Sequence, residues 1–297
     1  MKNKDIDRQK WDYCIKNAFN ASIEGFSWYL DCVCEKWDAL VSEDYMKVMP
    51  LPFKSKYRMY SILNPFFLNY GGVYSINKLN QDIVNSFIQT IPAKFKQVDI
   101  NLNRYNKVGA KDFKTVKLHN YLMDLIRSYP DIHNDYKNSF QEKISIAENQ
   151  KFIIKRKIEF GTFLLFLENT NEYITILKKA NLKSLFIKLV ELLLINRLAE
   201  IRGIYTVDNV LVSAGIIISF QNNVSFFLLE SNSKGKEFFA DALLLDETIR
   251  ELSGRNLILD FSSVNNKRTN QLYQEMSIFK AEYSRIKKKS FLNILGS

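Results

Sequence analysis

Glycine, proline and histidine are scarce in this 297-residue chain, which has ten, five and two of them. So few chain breakers exclude collagen-like, linker-rich and low-complexity classes. With 46% hydrophobic residues, including 22 Phe and 15 Tyr, the composition is that of a packed globular protein. Cysteine is equally sparse. Cys14, Cys32 and Cys34 are odd in number and form no C-x-x-C pair, and no His lies near enough to complete a zinc site. Buried free thiols in a reducing cytoplasm, with no metal, are the expectation. Long apolar runs are also missing. SLFIKLVELLLI and VLVSAGIIISF fall short of the roughly 20 residues of a membrane helix, so no membrane span is expected. The opening MKNKDIDRQKWDY lacks the apolar core of a signal peptide.

Positive charge is abundant, at a net +10. Between Lys94 and Lys117 stand seven basic residues and two acidic ones. Such a surface attracts phosphate, on nucleic acid or on a nucleotide-like donor. A lysine-rich composition spread over solvated faces is the other account.

Length favours two domains. In the second half, residues 182–201 carry a helical apolar stripe. The runs GIYTVD, VLVSAGIIISF and VSFFLLES, separated by DN and QNN, read as an antiparallel meander. SNSKGKEFFADALLLDETIRELSG then reads as a helix, NLILDFSS as a strand, TNQLYQEM as a short helix and FKAEYSRI as a last strand. A meander feeding a β-α-β end implies a mixed sheet with helices on both faces. In the first half EKWDALV and DYMKVMPLP read as strands, KLNQDIVNSFIQTIP as a helix and AKFKQVDINL as a strand. The helix–strand pair appears in both halves, so element order suggests one unit used twice. The expected division is 1–145 and 146–297.

Certain stretches carry a resemblance. These are FSWYLD (Phe26 to Asp31), Trp37-Asp38, DYMKVMPLP, the Asn64-Pro65 step, and, later, KGKEF, ADALLLDETI and LDFSS. Together with the element order they resemble the tandem acyltransferase fold of Fem-type peptidyltransferases. Those proteins are relatives within the GNAT (acyl-CoA N-acyltransferase-like) superfamily, and an uncharacterised bacterial group of it is the nearest likeness. The resemblance implies an α/β protein with mixed sheets in two GNAT-like subdomains. LDFSS sits where the pattern has D-F-E-G-S, so Ser262 and Ser263 replace its acid and glycine. Gln141-Glu142 stand where an Arg-Arg pair is common. The glycine-rich pyrophosphate loop is reduced to Gly235 within Ser233-Lys234-Gly235-Lys236.

Acyl transfer of this type needs a carbonyl held against a backbone N–H and a proton path for the attacking amine. The absence of a Ser-His-Asp constellation is therefore no objection, and His119 and His133 have no evident partner. Asp260, ending an apolar run, is a candidate base or amine ligand, or else a helix cap. Tyr273 is a candidate proton donor to a leaving thiolate, or a packed ring. Ser233, Lys234, Gly235 and Lys236 are candidates for donor phosphates at a helix start. Trp37, Tyr60 and Asn64 are candidate substrate contacts, with packing the alternative for the two aromatics. Ser262, Ser263, Asn265 and Asn266 form a polar loop past a strand end, where open sheets bind ligands.

The leading functional reading is an acyl- or aminoacyl-transferase. Its donor would be acyl-CoA or aminoacyl-tRNA as co-substrate, and its partner a small-molecule or peptide amine acceptor. A catalytically degenerate binding or scaffold protein of the same fold is the alternative, and a nucleic-acid binder the third class. Composition leaves the oligomeric state open.

Overall fold

The structure is a computed structural model that describes residues 1–57, 59–170, 177, 182–261, 267–276 and 278–288. The chain forms two compact units. One comprises Met1–His119 together with the chain from Ala281, and the other Asn120–Lys280. The expected division at 145/146 falls inside the helix Asn138–Glu148. The last strand, read from sequence as part of the second half, lies from Ala281 onward in the first unit.

In the first unit the sheet order is β1 (Lys36–Val41), β2 (Lys47–Lys56), β3 (Met59–Leu63), β5 (Phe95–Asn101) and β12 (Phe279–Lys288). The short β4 (Tyr74–Ser75) pairs with β2 off this path. β1 and β2 form the expected hairpin, whose turn is held by Asp44: its Oδ1 accepts from Ser42 Oγ (2.7 Å) and from the Met46 amide (2.9 Å). Pro50 and Pro52 pair with β1, and pairing of β2 with β3 begins only at Phe53, past both prolines. That placement suits residues with no amide hydrogen to offer a second neighbour. Helices α1 (Arg8–Asn17), α2 (Ser27–Val33) and α3 (Gln81–Gln89) complete the unit. The Asp7 and Asn80 side chains cap α1 and α3. From α3, Val84 and Ile88 join the core formed by Met49, Leu51, Ile62, Val98 and Ile100.

In the second unit the order is β6 (Lys114–Asp124, through its last residues), β11 (Ile258–Asp260), β10 (Asn223–Ser231), β9 (Leu211–Phe220), β8 (Ala199–Tyr205) and β7 (Ile153–Lys155). The meander β8-β9-β10 is antiparallel as its sequence pattern implies. β9 is buried along almost its whole length, an inner strand covered on both faces. The helices are α4 (Tyr129–Asn134), α5 (Asn138–Glu148), α6 (Phe160–Thr170), α7 (Lys183–Ile195), α8 (Ser233–Glu237), α9 (Ala240–Leu252) and α10 (Lys267–Tyr273). α9 is buried nearly all round, and Leu243, Leu244 and Ile249 pack into the core with Val212, Phe226 and Leu259.

Two sequence expectations change. The helix expected over 182–201 ends at Ile195, and Arg197 (φ 56°) turns the chain into β8. The single helix expected over 231–254 is two, broken at Phe239 (φ 54°). β3 and β6 have no counterpart among the elements read from the sequence; neighbouring strands pair with both.

Candidate functional site

In the second unit, β10 and β11 run parallel and pair only from Asn223–Ser225 to Ile258–Asp260. β10 continues to Ser231. Among the described residues no strand pairs with it on the β11 side beyond Ser225. Where the two strands part, the β9–β10 register also shifts between Phe226 and Leu228. A bulge there bends β10 and adds local twist. Such a fork at the carboxyl ends of parallel strands leaves main-chain donors and acceptors facing a crevice.

Asp260 is the last residue of β11, opposite Ser225 on one side and Leu122 on the other. Its Oδ1 accepts from Asn120 Nδ2 at 2.6 Å. Asn120 is buried, so the carboxylate is fixed in direction by a side chain that sequence reading passed over. Tyr273 closes α10 and is 2% exposed, its ring 4.4 Å from that of Phe261. Burial, reinforced by the charge of Asp260, pushes its phenol well above the ordinary tyrosine range. It holds its proton throughout the physiological range. Ser262, Ser263, Asn265 and Asn266 lie outside the described residues.

The Ser233–Lys236 segment forms α8 directly after β10. Asn232 caps it, its Oδ1 accepting from the Gly235 amide at 2.8 Å, so that amide is already engaged. Gly235 is needed for another reason: a Cβ there would stand 2.1 Å from the Val212 carbonyl oxygen. The glycine lets α8 lie against the backbone of β9. The segment therefore forms no glycine cradle, and its cations are the side chains of Lys234 and Lys236.

Arg268 joins these elements. Its Nε and Nη2 bond both oxygens of Asp241 (2.5 and 3.0 Å), and Nη2 also donates to the Lys236 carbonyl at 2.8 Å. Asp241 is buried, so a fixed guanidinium neutralises it. Beside Arg268 opens a cavity of about 580 Å³, whose rim includes Lys137, Lys143, Phe239, Gln271 and Glu275. Lys143 pairs with Glu275 at 2.5 Å. Arg268 is balanced by Asp241 and Lys143 by Glu275, so the net positive charge at this cavity is that of Lys137. The sequence did contain a signal for part of it: an acid at Asp241 inside an apolar helical run requires a cation partner.

In the first unit the structure brings Trp37 and Tyr60 to one region. Trp37 is 3% exposed, and its indole N–H donates to Asp31 Oδ1 at 2.8 Å. The Arg8 guanidinium lies 4.7 Å over its ring. Trp37, Asp38, Phe53 and Lys94 line a second cavity of about 470 Å³. Tyr60 stands with Phe53 and Phe95, 6.0 and 6.3 Å between ring centres. Asn64 is elsewhere. Its Nδ2 donates to the carbonyls of Leu68 and Asn69, both at 3.1 Å, while its buried Oδ1 has no partner among the described residues.

Among the described residues no group of three His, Cys, Asp or Glu is placed to hold a metal ion. Cys14, Cys32 and Cys34 are free thiols, and burial pushes Cys14 up to about 11 and Cys34 up to about 12. No described helix is long and apolar enough to cross a membrane.

Among solved structures, the chain is similar to FemX, with 11% identity and a TM-score of 0.61 over 94% of this chain and 96% of that one. It is similar to a conserved protein of unknown function from Bacteroides thetaiotaomicron, with 8% identity and a TM-score of 0.56 over 96% and 97%. L-PGS from Bacillus licheniformis matches with 11% identity and a TM-score of 0.53 over 95% and 92%. No family model and no curated protein matches the sequence. At these identities the likeness is one of fold. The fold is a mixed α/β fold like that of FemX, in agreement with the Fem-type resemblance of the sequence.

Proposed function

We propose that the chain transfers an acyl or aminoacyl group from a phosphate-bearing donor, acyl-CoA or aminoacyl-tRNA, to an amine. The observation that carries this reading is the parting of β10 from β11 at Asp260. A crevice between parallel strands offers main-chain N–H groups to a thioester or ester carbonyl, the electrostatic element such transfer needs. The basic cavity beside Arg268 and the lysines of α8 suit donor phosphates.

In this scheme the acceptor amine attacks the carbonyl carbon and a C–N bond forms. The C–S or C–O bond to the donor breaks, and its electron pair goes to the leaving atom. Asp260, aimed by Asn120, takes the proton from the attacking nitrogen. Tyr273 holds its proton and serves as hydrogen-bond donor at the same site, while Ser262, Ser263, Asn265 and Asn266 contact the acceptor. Three free thiols suit a cytoplasmic setting.

The test separates binding from turnover. Isothermal titration with CoA and with tRNA should give an affinity that falls as salt rises. Lys234→Glu/Lys236→Glu should weaken it by about tenfold, the equivalent of ~1.4 kcal/mol. Asp260→Asn should leave donor affinity in place and lower transfer at least ~100-fold, as loss of a general base does. Salt-independent affinity, or full transfer by Asp260→Asn, overturns the proposal. One observation favours a second reading, a binding protein of this fold: Ser262 and Ser263 stand where the resembled motif has its acid and glycine. Donor affinity with no turnover against any amine would select it.

A further inference from the structure

The ammonium of Lys94 sits in a cup of aromatic rings. Its Nζ is 5.5 Å from the ring centre of Phe53, 5.7 Å from Tyr60 and 4.7 Å from Phe95. Asp38 Oδ2 closes the fourth side at 2.7 Å. The components come from four successive members of one sheet: Asp38 from β1, Phe53 from β2, Tyr60 from β3 and Phe95 from β5. The rings do not stack. Phe53 is inclined at 56° to Tyr60 and 60° to Phe95, and Tyr60 at 90° to Phe95. Rings tilted in this way form walls around a point, whereas rings packed only for area have no need of a carboxylate among them.

Asp38 is an informative member. Its side chain is only 14% exposed, and its Oδ1 accepts from the Asn3 amide at 3.3 Å, which fixes the direction of Oδ2. A directed carboxylate with several aromatic faces is the chemistry that recognises an ammonium group. The cup opens onto the cavity of about 470 Å³ that Asp38, Phe53 and Lys94 line, so there is room for a ligand larger than a lysine tip.

We propose that this cup is a binding site for a methylated or quaternary ammonium ligand, with Lys94 as its resident intramolecular occupant. Exchange is physically reasonable because the two cations differ in hydration. A primary ammonium is strongly hydrated and at home in water. A quaternary ammonium is poorly hydrated and gains more from the ring faces. The Lys94 side chain is 41% exposed and flexible, so it can swing into solvent as the ligand enters. The site lies wholly within the first unit and does not depend on the transfer reaction.

The experiment is a titration of the full chain with tetramethylammonium chloride, against sodium chloride of equal ionic strength, followed by the NMR shifts of the cup residues. The wild type should bind weakly and saturably. Lys94→Ala, which empties the cup, should bind at least about tenfold more tightly. Lys36→Ala removes an equal charge from the same cavity without touching the cup and should leave the affinity unchanged. In the Lys94→Ala background, Asp38→Asn and Tyr60→Leu should each lower affinity about tenfold, with circular dichroism confirming the fold. The proposal is overturned if Lys94→Ala shows no saturable binding, or binds no better than wild type. An equal gain from Lys36→Ala, or indifference to Asp38→Asn, overturns it as well.

Discussion

Among the described residues each unit contains one parallel strand pair with helical chain between its strands, and the two pairs end differently. In the first unit β3 and β5 pair from Tyr60 to Leu63, with a register shift after Tyr60, and the chain beyond is stitched shut. Asn64 and Asn101 both donate to the Asn69 carbonyl at 3.1 Å, and the Gly71 amide donates to the Asn101 carbonyl at 2.8 Å. In the second unit β10 and β11 part after Ser225 and Asp260, with a bulge at the parting. A stitched end spends its main-chain groups on itself. A parted end leaves them for a ligand, which is why the reacting groups are assigned to the second unit.

The largest effect should come from removing the cation that supports the fork. Arg268→Met leaves Asp241 buried and uncompensated, and should lower stability by about 3 kcal/mol, measured by urea denaturation. A variant as stable as wild type would mean that the guanidinium is not needed to hold α10 to α9. Next is Gly235→Ala. Its methyl group would meet the Val212 carbonyl, so α8 must move off β9. A loss of about 2 kcal/mol is expected, within the range of overpacking.

On the stitched side, Asn64→Ala removes the donor to two carbonyls and should cost about 1–2 kcal/mol. If instead it is neutral, the closure of the β3/β5 end rests on the Gly71 bridge and Asn101. The smallest effect is a pH dependence in the second unit. Asp246 is fully buried, and burial raises its carboxyl above the ordinary range, against the hydrogen bond from Tyr129 and the charges of Arg250 and His133. Its protonated form is therefore favoured in the folded state. The stability it contributes is present below the ordinary aspartate range and is lost as pH rises through the raised value. Asp246→Asn should flatten that loss, so the wild type's advantage over the variant should shrink as pH rises from acid to neutral. A constant difference across the range would show that Asp246 keeps its ordinary titration.

Much of this architecture can be read along the chain. β9 and β10 are long apolar runs because both faces are covered, and the Gln221-Asn222 turn between them is polar because it is not. Asp260 stands out as the first acid after an apolar run, and its position at a strand end follows. β3 and β6 escape such reading because few of their residues are buried; their strand character comes from partners distant in sequence. The break at Phe239 is hidden for a similar reason. The residue carries no local signal for a left-handed backbone, and Arg268, 32 residues beyond Lys236, helps to hold the chain there through the Lys236 carbonyl.

By itself the sequence determined the α/β class, the meander, the helix–strand pairs of both halves and the place of Asp260, because hydrophobic periodicity and caps act over a few residues. Tertiary structure alone decided that Asn120 aims Asp260, that Arg268 neutralises Asp241, and that Asp38, Phe53, Tyr60 and Phe95 surround Lys94. Each of these depends on strand pairing or side-chain approach between residues far apart in the chain, and no local pattern encodes the register that brings them together.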